Sequence, residues 1–322
     1  MLPLLLGAFA VIHTASALLT PTGYTPTGKE IYTVPPGSRV AAHSASQIEV
    51  LGPDGTVLHT FSNTASASRR QDYNVHLAQA FYDCGVDAST GAPTQITAFN
   101  ATFVVPPIPE NYESQFLFIG PGIEGFDPAT NESLGIYQAA LQYGASEYQG
   151  GAFWTVYAVY VGPTFFITPS PANLSALSSR QEDQPVVKPG DTLTASIFYD
   201  PDGFQIAGTP PRVWYEALFV GTDAPEYVPG YLETSFSAPP SLVRPMIVLQ
   251  EEGMFEAADY PRGGLVFEDI QLVLNASTTT PGTEPEISWT VLVDPTTDVE
   301  VEVLVDGGVD AKIGIVFPDS SN

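Results

Sequence analysis

The sequence predicts an all-β protein, either a sandwich or a barrel, and three observations support this. Short segments rich in β-branched and aromatic residues recur along the chain, as in QITAFNATFVV, GIYQAALQYGA and AFWTVYAVYVG. Turn-forming residues separate them, and the chain holds 30 prolines and 28 glycines. No segment keeps the 3.6-residue apolar period of an amphipathic helix. Many short strands with turn residues between them are typical of sandwiches and barrels.

The chain begins with an apolar run, MLPLLLGAFAVIHTASALL, which contains the small-x-small pattern Ala15-Ser16-Ala17. The run is shorter than the roughly 20 residues that span a bilayer. It therefore predicts a secretion signal over residues 1–17, cleaved after Ala17, and an extracellular location. Four Asn-x-Ser/Thr sequons are predicted glycosylation sites on this route: Asn100, Asn131, Asn173 and Asn275.

Residues 18–70 form a leader with its own hairpin signal, in which two alternating stretches flank Gly52-Pro53-Asp54-Gly55. The leader ends at Arg69-Arg70, a dibasic pair of the kind that secretory proteases cut. Residues 1–70 carry four basic and three acidic side chains, whereas residues 71–322 carry six basic and 33 acidic ones. This change in charge predicts a propeptide cleaved after Arg70. The alternative is an N-terminal β-hairpin that stays attached.

Residues 71–322 divide at a stretch rich in Thr, Pro and Glu, ASTTTPGTEPEIS, whose composition is typical of a linker. We expect the main β-sandwich over residues 71–276 and a small C-terminal β extension over residues 277–322. Together with the leader, these segments complete the predicted domain organisation.

Charge and composition exclude several functions. The 322-residue chain has a net charge of −26, so nucleic acid and anionic membrane surfaces are not expected partners. Its single cysteine, Cys84, excludes an intramolecular disulfide. Only His76 follows the leader, which argues against a Ser-His-Asp triad or a histidine-rich zinc site. We therefore expect no metal and no cofactor, and carboxylate and amide chemistry remains.

The strand GIYQAALQYGAS carries amides in an unusual place. Alternation puts Gln138, Ala140, Gln142 and Gly144 on one face of the strand. A glutamine on a sheet face is usually structural. An amide N–H can also bind the oxyanion of a tetrahedral intermediate, and it needs no ionisation to do so in acid. A carboxylate could act beside it as the general base for water.

A family resemblance adds to this interpretation. ITAFNATFVVPPIP, FLFIGPGIEG, YQAALQYG, VKPGDTL and EGMFEAADYP follow one another like the motifs of the eqolisins. These are glutamic peptidases of fungi and some bacteria, built on a concanavalin-A-like sandwich. The chain is also similar to related secreted concanavalin-A-like proteins, and the resemblance covers roughly residues 95–276. The resemblance implies a concanavalin-A-like antiparallel β-sandwich of the jelly-roll type and a preprosequence. It also implies catalytic roles for Gln142 and Glu252.

The resemblance implies a secreted, metal-independent acid endopeptidase that acts on polypeptides. Glu252 would activate water and Gln142 would stabilise the oxyanion. Glu251 is the substitute candidate if a bulge shifts the strand register. Phe118 stands where the family has a tryptophan, and Ala158 where it has a glutamate. Candidate substrate-groove residues are Phe118, Glu124, Gln138, Tyr148, Trp154, Tyr157 and Glu256.

Two other functions fit the same sandwich. The first is a carbohydrate-binding, lectin-like protein that uses Tyr148, Trp154 and Tyr157, although aromatic strand residues usually fill a core. The second is a glycan-cleaving enzyme, which needs two carboxyl groups about 5–10 Å apart. Glu252 and Glu256 could supply them if both lay on one strand. In each case a monomer is expected, with a polypeptide or a polysaccharide as its partner.

Overall fold

The computed structural model describes residues 19–44, 46–62, 76–85, 94–113, 115–127, 130–144, 151–170, 186–200, 213–221, 232–236, 242–275 and 286–319. Several predictions concern residues outside these ranges: the signal segment 1–17 with Ala17, the processing site at Arg70, Tyr148 and Asn173. Within the described ranges, no helix has the length and apolar character needed to cross a membrane.

The described residues form twenty strands, numbered in chain order: β1 Gly23–Tyr24, β2 Glu30–Val34, β3 Ser38–Ser44, β4 Gln47–Leu51, β5 Val57–Ser62, β6 His76–Phe81, β7 Gln95–Val104, β8 Phe116–Phe126, β9 Ser133–Gly144, β10 Trp154–Val161, β11 Phe165–Pro169, β12 Val186–Val187, β13 Thr192–Asp200, β14 Trp214–Gly221, β15 Leu232–Phe236, β16 Leu242–Glu252, β17 Gly264–Asn275, β18 Thr290–Val293, β19 Glu300–Val305 and β20 Ala311–Val316. A 3-10 helix spans Ala257–Asp259, and the described ranges contain no α-helix. The predicted all-β class is confirmed.

The strands build two ten-stranded sheets that pack as a sandwich. Sheet A has the order β1-β2-β11-β10-β9-β8-β16-β6-β18, with β12 paired to β10. Sheet B has the order β19-β20-β17-β7-β13-β14-β15-β3-β4-β5. Two pairings depart from the expected antiparallel arrangement, because β2 runs parallel to β11 and β3 runs parallel to β15. Both join a strand of the leader to a strand of the main sandwich.

The main core lies between the sheets and follows from simple alternation. Along β17, Leu265 and Phe267 are buried while Val266 is exposed. A bulge at Asp269, whose φ is 49°, then shifts the register so that Ile270 points inward. Burying these apolar side chains is the principal stabilising contribution to such a sandwich, since the single cysteine allows no internal disulfide.

The centre of sheet A is buried on both faces. Strands β9 and β10 are almost wholly buried along their length. A second apolar cluster covers the face turned away from sheet B, and it includes Phe116, Phe118, Val248 and Phe166. We call this face the outer face of sheet A. It is the face that carries the amides of β9.

The two ends of the chain extend both sheets at opposite edges. From the leader, β1 and β2 extend one edge of sheet A, and β3 to β5 extend the same edge of sheet B. From the predicted C-terminal extension, β18 pairs with β6 in sheet A. Strands β19 and β20 add to sheet B through β17. Both segments are therefore continuous with the sandwich.

Candidate active site

Gln142 and Glu252 lie on the same face of sheet A, on two strands that flank β8. Gln142 and Gln250 both pair with Phe118 of β8, one from each side. Glu252 pairs with Phe116, which in turn pairs with Gly144. Strands are spaced about 4.8 Å apart, so β9 and β16 are about 10 Å apart across β8. The two predicted catalytic residues thus occupy adjacent rows of one face.

Four side chains give this face its polar character, and we call them the polar floor: Gln138, Gln142, Gln250 and Glu252. Each is at most 1% exposed. A buried amide or carboxylate needs hydrogen-bond partners, because leaving it unpaired costs about 1–3 kcal/mol or more. The partners of each group therefore show what it can do.

Gln138 and Gln250 form a structural pair. Gln250 Nε2 donates to Gln138 Oε1 at 2.8 Å, and Gln138 Nε2 donates to the Val248 carbonyl at 3.1 Å. The bonds tie β9 to β16 across the intervening strand. Gln138 was a predicted groove residue, and the nitrogen and the oxygen of its side-chain amide are both used in these hydrogen bonds between strands.

Gln142 is directed along its own strand towards the row that contains Glu252. Its Nε2 donates to the Gly144 carbonyl at 3.0 Å, in the row that contains Phe116 and Glu252. Gly144 has a φ of +75°, and a Cβ there would lie 1.8 Å from the Gln115 carbonyl oxygen. Only glycine fits this position, so the end of β9 is closely fixed.

Hydroxyl groups beside Gln142 add to the buried polarity. Thr155 pairs with Gln142 across β9 and β10, and Tyr157 follows two residues later on the same face. Neither hydroxyl has a hydrogen-bond partner among the described residues, and both are buried. Burial raises the pKa of Tyr157, which keeps its hydroxyl protonated. Buried polar groups of this kind mark places where water or a ligand binds.

Glu252 is contacted by the leader. Thr27 donates to Glu252 Oε2 twice, from its backbone N–H at 3.2 Å and from its hydroxyl at 2.5 Å. The Lys29 ammonium lies 3.9 Å from Glu252 Oε1. The contacts of Thr27 join residues 225 positions apart in the chain. Thr27, Lys29 and Gln250 were not among the predicted site residues. Alternation from Glu252 could have identified Gln250.

Lys29 is an unusual residue for a protein interior. It is 5% exposed, and its ammonium lies 5.1 Å from the centroid of the Phe166 ring. Burial lowers the pKa of Lys29 to about 8, and the nearby Glu252 carboxylate offsets part of that shift. The site therefore holds a buried ion pair, in which each charge compensates the other.

Glu251 belongs to the opposite face. Its Oε1 accepts a 2.8 Å hydrogen bond from the Tyr260 hydroxyl, and Tyr260 packs in the main core. Burial raises the pKa of Glu251, which the bond from Tyr260 partly opposes. Strand β16 keeps a regular register with β8 through this region. No bulge therefore turns Glu251 to the face that carries Glu252.

The other predicted groove residues are dispersed. Phe118 lies on the outer face between the polar groups, packed against Phe116 and Phe166. Trp154 lies on the inner face, where it packs against Tyr143 in the main core and donates to the Pro107 carbonyl. It does not line the face that carries Gln142. Thr155, its neighbour on β10, pairs with Gln142, so Trp154 points to the other face of the sheet.

Glu124 lies on the same face as the polar floor, in the next row beyond Gln138, whereas Glu256 lies outside the sheet. Glu124 lies six residues beyond Phe118 on β8, and Arg244 is 3.5 Å from it. Burial raises the pKa of Glu124. The expectation that Glu252 and Glu256 share a strand is wrong, because β16 ends at Glu252 and Gly253 turns the chain with a φ of +74°. Glu256 instead begins the 3-10 helix and accepts from Asn111.

Three predicted glycosylation sites lie among the described residues. Asn100 is half-buried on β7, Asn131 is exposed with a φ of 57°, and Asn275 is exposed at the end of β17. They remain predictions.

One group of carboxylates has the spacing of a cation site. Oxygen atoms of Asp200, Glu216 and Glu233 lie within 4.8 Å of one another on sheet B. Arg39 already forms an ion pair with Glu233. This group lies on the other sheet from the polar floor and supplies no ligand to it.

The fold and the polar floor define a β-sandwich protein with a buried carboxylate–amide site. No protein-family model matches the sequence, and no curated protein matches it. Two crystal structures of Scytalido-glutamic peptidase, one with a peptide-based transition state analog and one with a transition state analog inhibitor, are similar to the chain. Each has a TM-score of 0.39 and 13% identity, over 76% of this chain and 99% of that one. The marine PL-14 alginate lyase from Aplysia kurodai has a TM-score of 0.27 and 11% identity, over 74% of this chain and 80% of that one.

Proposed function

We propose that this chain is a secreted acid endopeptidase that uses Glu252 and Gln142 without a metal or a cofactor. One observation carries the proposal. A buried carboxylate and a buried amide lie on one face of sheet A, flanking β8, and the amide is directed towards the row of the carboxylate. The partnerless hydroxyls of Thr155 and Tyr157 beside Gln142 support a ligand-binding role for the same face.

The reaction needs two proton transfers. Glu252 removes a proton from a water molecule, and the water oxygen bonds to the carbonyl carbon of the scissile peptide. The carbonyl oxygen becomes an oxyanion, which the Gln142 amide stabilises by donating a hydrogen bond. The C–N bond then breaks while the protonated Glu252 returns the proton to the leaving amine. Glu252 ends as a carboxylate, ready for another cycle.

A matched set of three variants tests this proposal. The full chain is assayed for cleavage of denatured protein in acid, in the presence of a chelator. We expect Gln142→Ala to lower kcat by roughly 10²–10³-fold, the usual cost of one oxyanion donor. Glu252→Gln should lower it by roughly 10²–10⁴-fold, the range for a general base. Glu251→Gln, a change at the neighbouring residue on the opposite face, should leave activity close to that of the wild type.

Several outcomes would contradict the proposal. Full activity in Gln142→Ala and Glu252→Gln would exclude both residues from catalysis. Loss of activity only in Glu251→Gln would transfer the role to the inner face. A wild-type chain that is inert on protein but binds or cleaves a glycan would favour the carbohydrate alternatives.

A further inference from the structure

The Glu252 carboxylate is held asymmetrically. Both hydrogen bonds from Thr27 reach Oε2. Oε1 accepts no hydrogen bond from the described residues, although Glu252 is 0% exposed. The Lys29 ammonium lies 3.9 Å from Oε1 and compensates the negative charge from beyond hydrogen-bond range.

This asymmetry suits a general base. A base needs one oxygen fixed, so that the carboxylate cannot rotate, and another with a lone pair available for the proton of water. Thr27 fixes Oε2 through two donors. A buried carboxylate oxygen without a donor is costly, so Oε1 is an expected binding position for water or substrate.

The turn that carries Thr27 and Lys29 is anchored in the sandwich. Strand β2 pairs with β11 over five residues, and β3 pairs with β15 over five residues. Tyr32 and Val40 belong to the same core cluster as residues of the main sandwich. Phe61 stacks on Phe165 with ring centroids 3.7 Å apart. Removing the leader would expose apolar surface along both sheets, at roughly 25 cal/mol for each Å² uncovered.

We propose that Thr27 and Lys29 are positioning residues for Glu252, and that the leader segment carrying them stays in the active molecule even if the chain is cut after Arg70. Thr27 orients the carboxylate, and the Lys29 ammonium, 3.9 Å away, supplies its counter-charge. Among the described residues, Lys29 is the charged group that faces Glu252. The catalytic half of this inference rests on the proposed peptidase function.

Conservative and disruptive variants of the full chain test the positioning roles. Thr27→Val removes the hydroxyl donor and Thr27→Ser restores it, while Lys29→Met removes the charge and Lys29→Arg keeps it. We expect Thr27→Val and Lys29→Met to lower kcat by roughly 10–100-fold with little change in KM, the usual effect of losing a group that orients a catalytic one. Thr27→Ser and Lys29→Arg should recover most of the activity. Lys312→Met, at a distant lysine paired with Glu268, is the control expected to have no effect.

The pH profile separates a positioning role from a purely structural one. Without the ammonium, the Glu252 carboxylate accepts a proton more readily, so the acid limb of the Lys29→Met profile should move to higher pH. The same displacement should appear in a ¹³C NMR titration of the glutamate carboxyl groups, which requires no activity. An unmoved Glu252 titration would overturn the role of Lys29. Higher activity in Lys29→Met or Thr27→Val would also overturn it, because the turn would then be an inhibitor.

Cutting the chain tests the permanence of the leader. A dibasic-specific endopeptidase is used to cleave after Arg70, and the product is separated by size under native conditions. We expect the leader fragment to elute with the remainder, and to separate only in denaturant. A leader that separates while the remainder stays folded and active would overturn the inference. The wild type could be inactive on protein while the leader stays bound and Lys29→Met still displaces the NMR titration. That result would count against the peptidase function and not against the arrangement at Glu252.

Discussion

Glu251 and Glu252 are neighbours in the chain, equally buried, and held in opposite ways. Glu252 faces outward from sheet A, where Thr27 donates to it and the Lys29 ammonium lies 3.9 Å away. Glu251 faces the main core, where the Tyr260 hydroxyl donates to it and burial raises its pKa. The second environment therefore favours a neutral acid.

Different ends of the chain create the two environments. The leader provides Thr27 and Lys29, which contact Glu252. On the other face, Glu251 pairs across the sheet with His76. His76 in turn contacts Thr296 and Asp294, which follow β18 in the C-terminal extension. Two segments that the sequence marks as additions thus supply groups that surround the two carboxyls. Burial alone therefore does not determine the protonation state of a carboxyl group, because hydrogen-bond donors and neighbouring charges also act on it.

The largest expected effect on stability comes from Glu252→Gln. The amide can still accept from Thr27, but the buried Lys29 ammonium loses its counter-charge. Breaking one side of a buried ion pair costs about 3–5 kcal/mol. Urea unfolding in mild acid should show that loss, and Glu252→Gln combined with Lys29→Met should recover most of it. An unchanged unfolding midpoint in Glu252→Gln would show that the pair contributes nothing.

The pH dependence of that loss has a defined sign. The pKa of Lys29 is about 8 in the folded chain, below the ordinary 10.5. The unfolded chain therefore binds more protons between these values, and stability rises with pH there. Without Glu252 the ammonium is less favoured, so this rise should begin at lower pH. The stability difference between Glu252→Gln and the wild type should narrow as the medium becomes alkaline.

Glu251→Gln should have a smaller effect with the opposite sign. Because its pKa is raised in the folded chain, Glu251 contributes stability that is complete below its ordinary value of 4.5 and is lost as pH rises through the folded value. Each pH unit in that window costs about 1.4 kcal/mol. The variant should have a flatter profile of unfolding free energy from pH 4.5 to 7. Glu300→Gln, on the exposed edge strand β19, is the matched control, and equal slopes in all three proteins would contradict this role.

Local pattern was sufficient for much of the fold and part of the site. Short alternating strands predicted the all-β class. Period-two alternation placed Gln138 and Gln142 on one face and separated Glu251 from Glu252, and the structure has both arrangements. These features depend on the order of residues within one strand, and the sequence specifies that order directly.

The remaining features depend on contacts that a local pattern does not contain. Thr27 reaches Glu252 across 225 residues, through two parallel pairings of the leader. The inner position of Trp154 follows from the register of β10 on β9. Glu256 lies outside the strand because Gly253 adopts a positive φ immediately after Glu252. Long-range topology, inter-strand register and turn conformation decided these three positions.

The smallest expected effect concerns the Tyr260 hydroxyl, which donates a hydrogen bond to Glu251. Tyr260→Phe removes the donor at 2.8 Å from Glu251 Oε1 and leaves the ring in the core. A hydrogen bond to a charged group contributes about 1.5–3 kcal/mol, and one to a neutral group about 1 kcal/mol. The variant should therefore lose more stability at a pH above the folded pKa of Glu251, which burial raises, than at a pH below it. A double-mutant cycle with Glu251→Gln measures the coupling, because in that background Tyr260→Phe should cost the same at both pH values. A pH-dependent cost that persists without the Glu251 carboxyl would show that another group titrates against Tyr260.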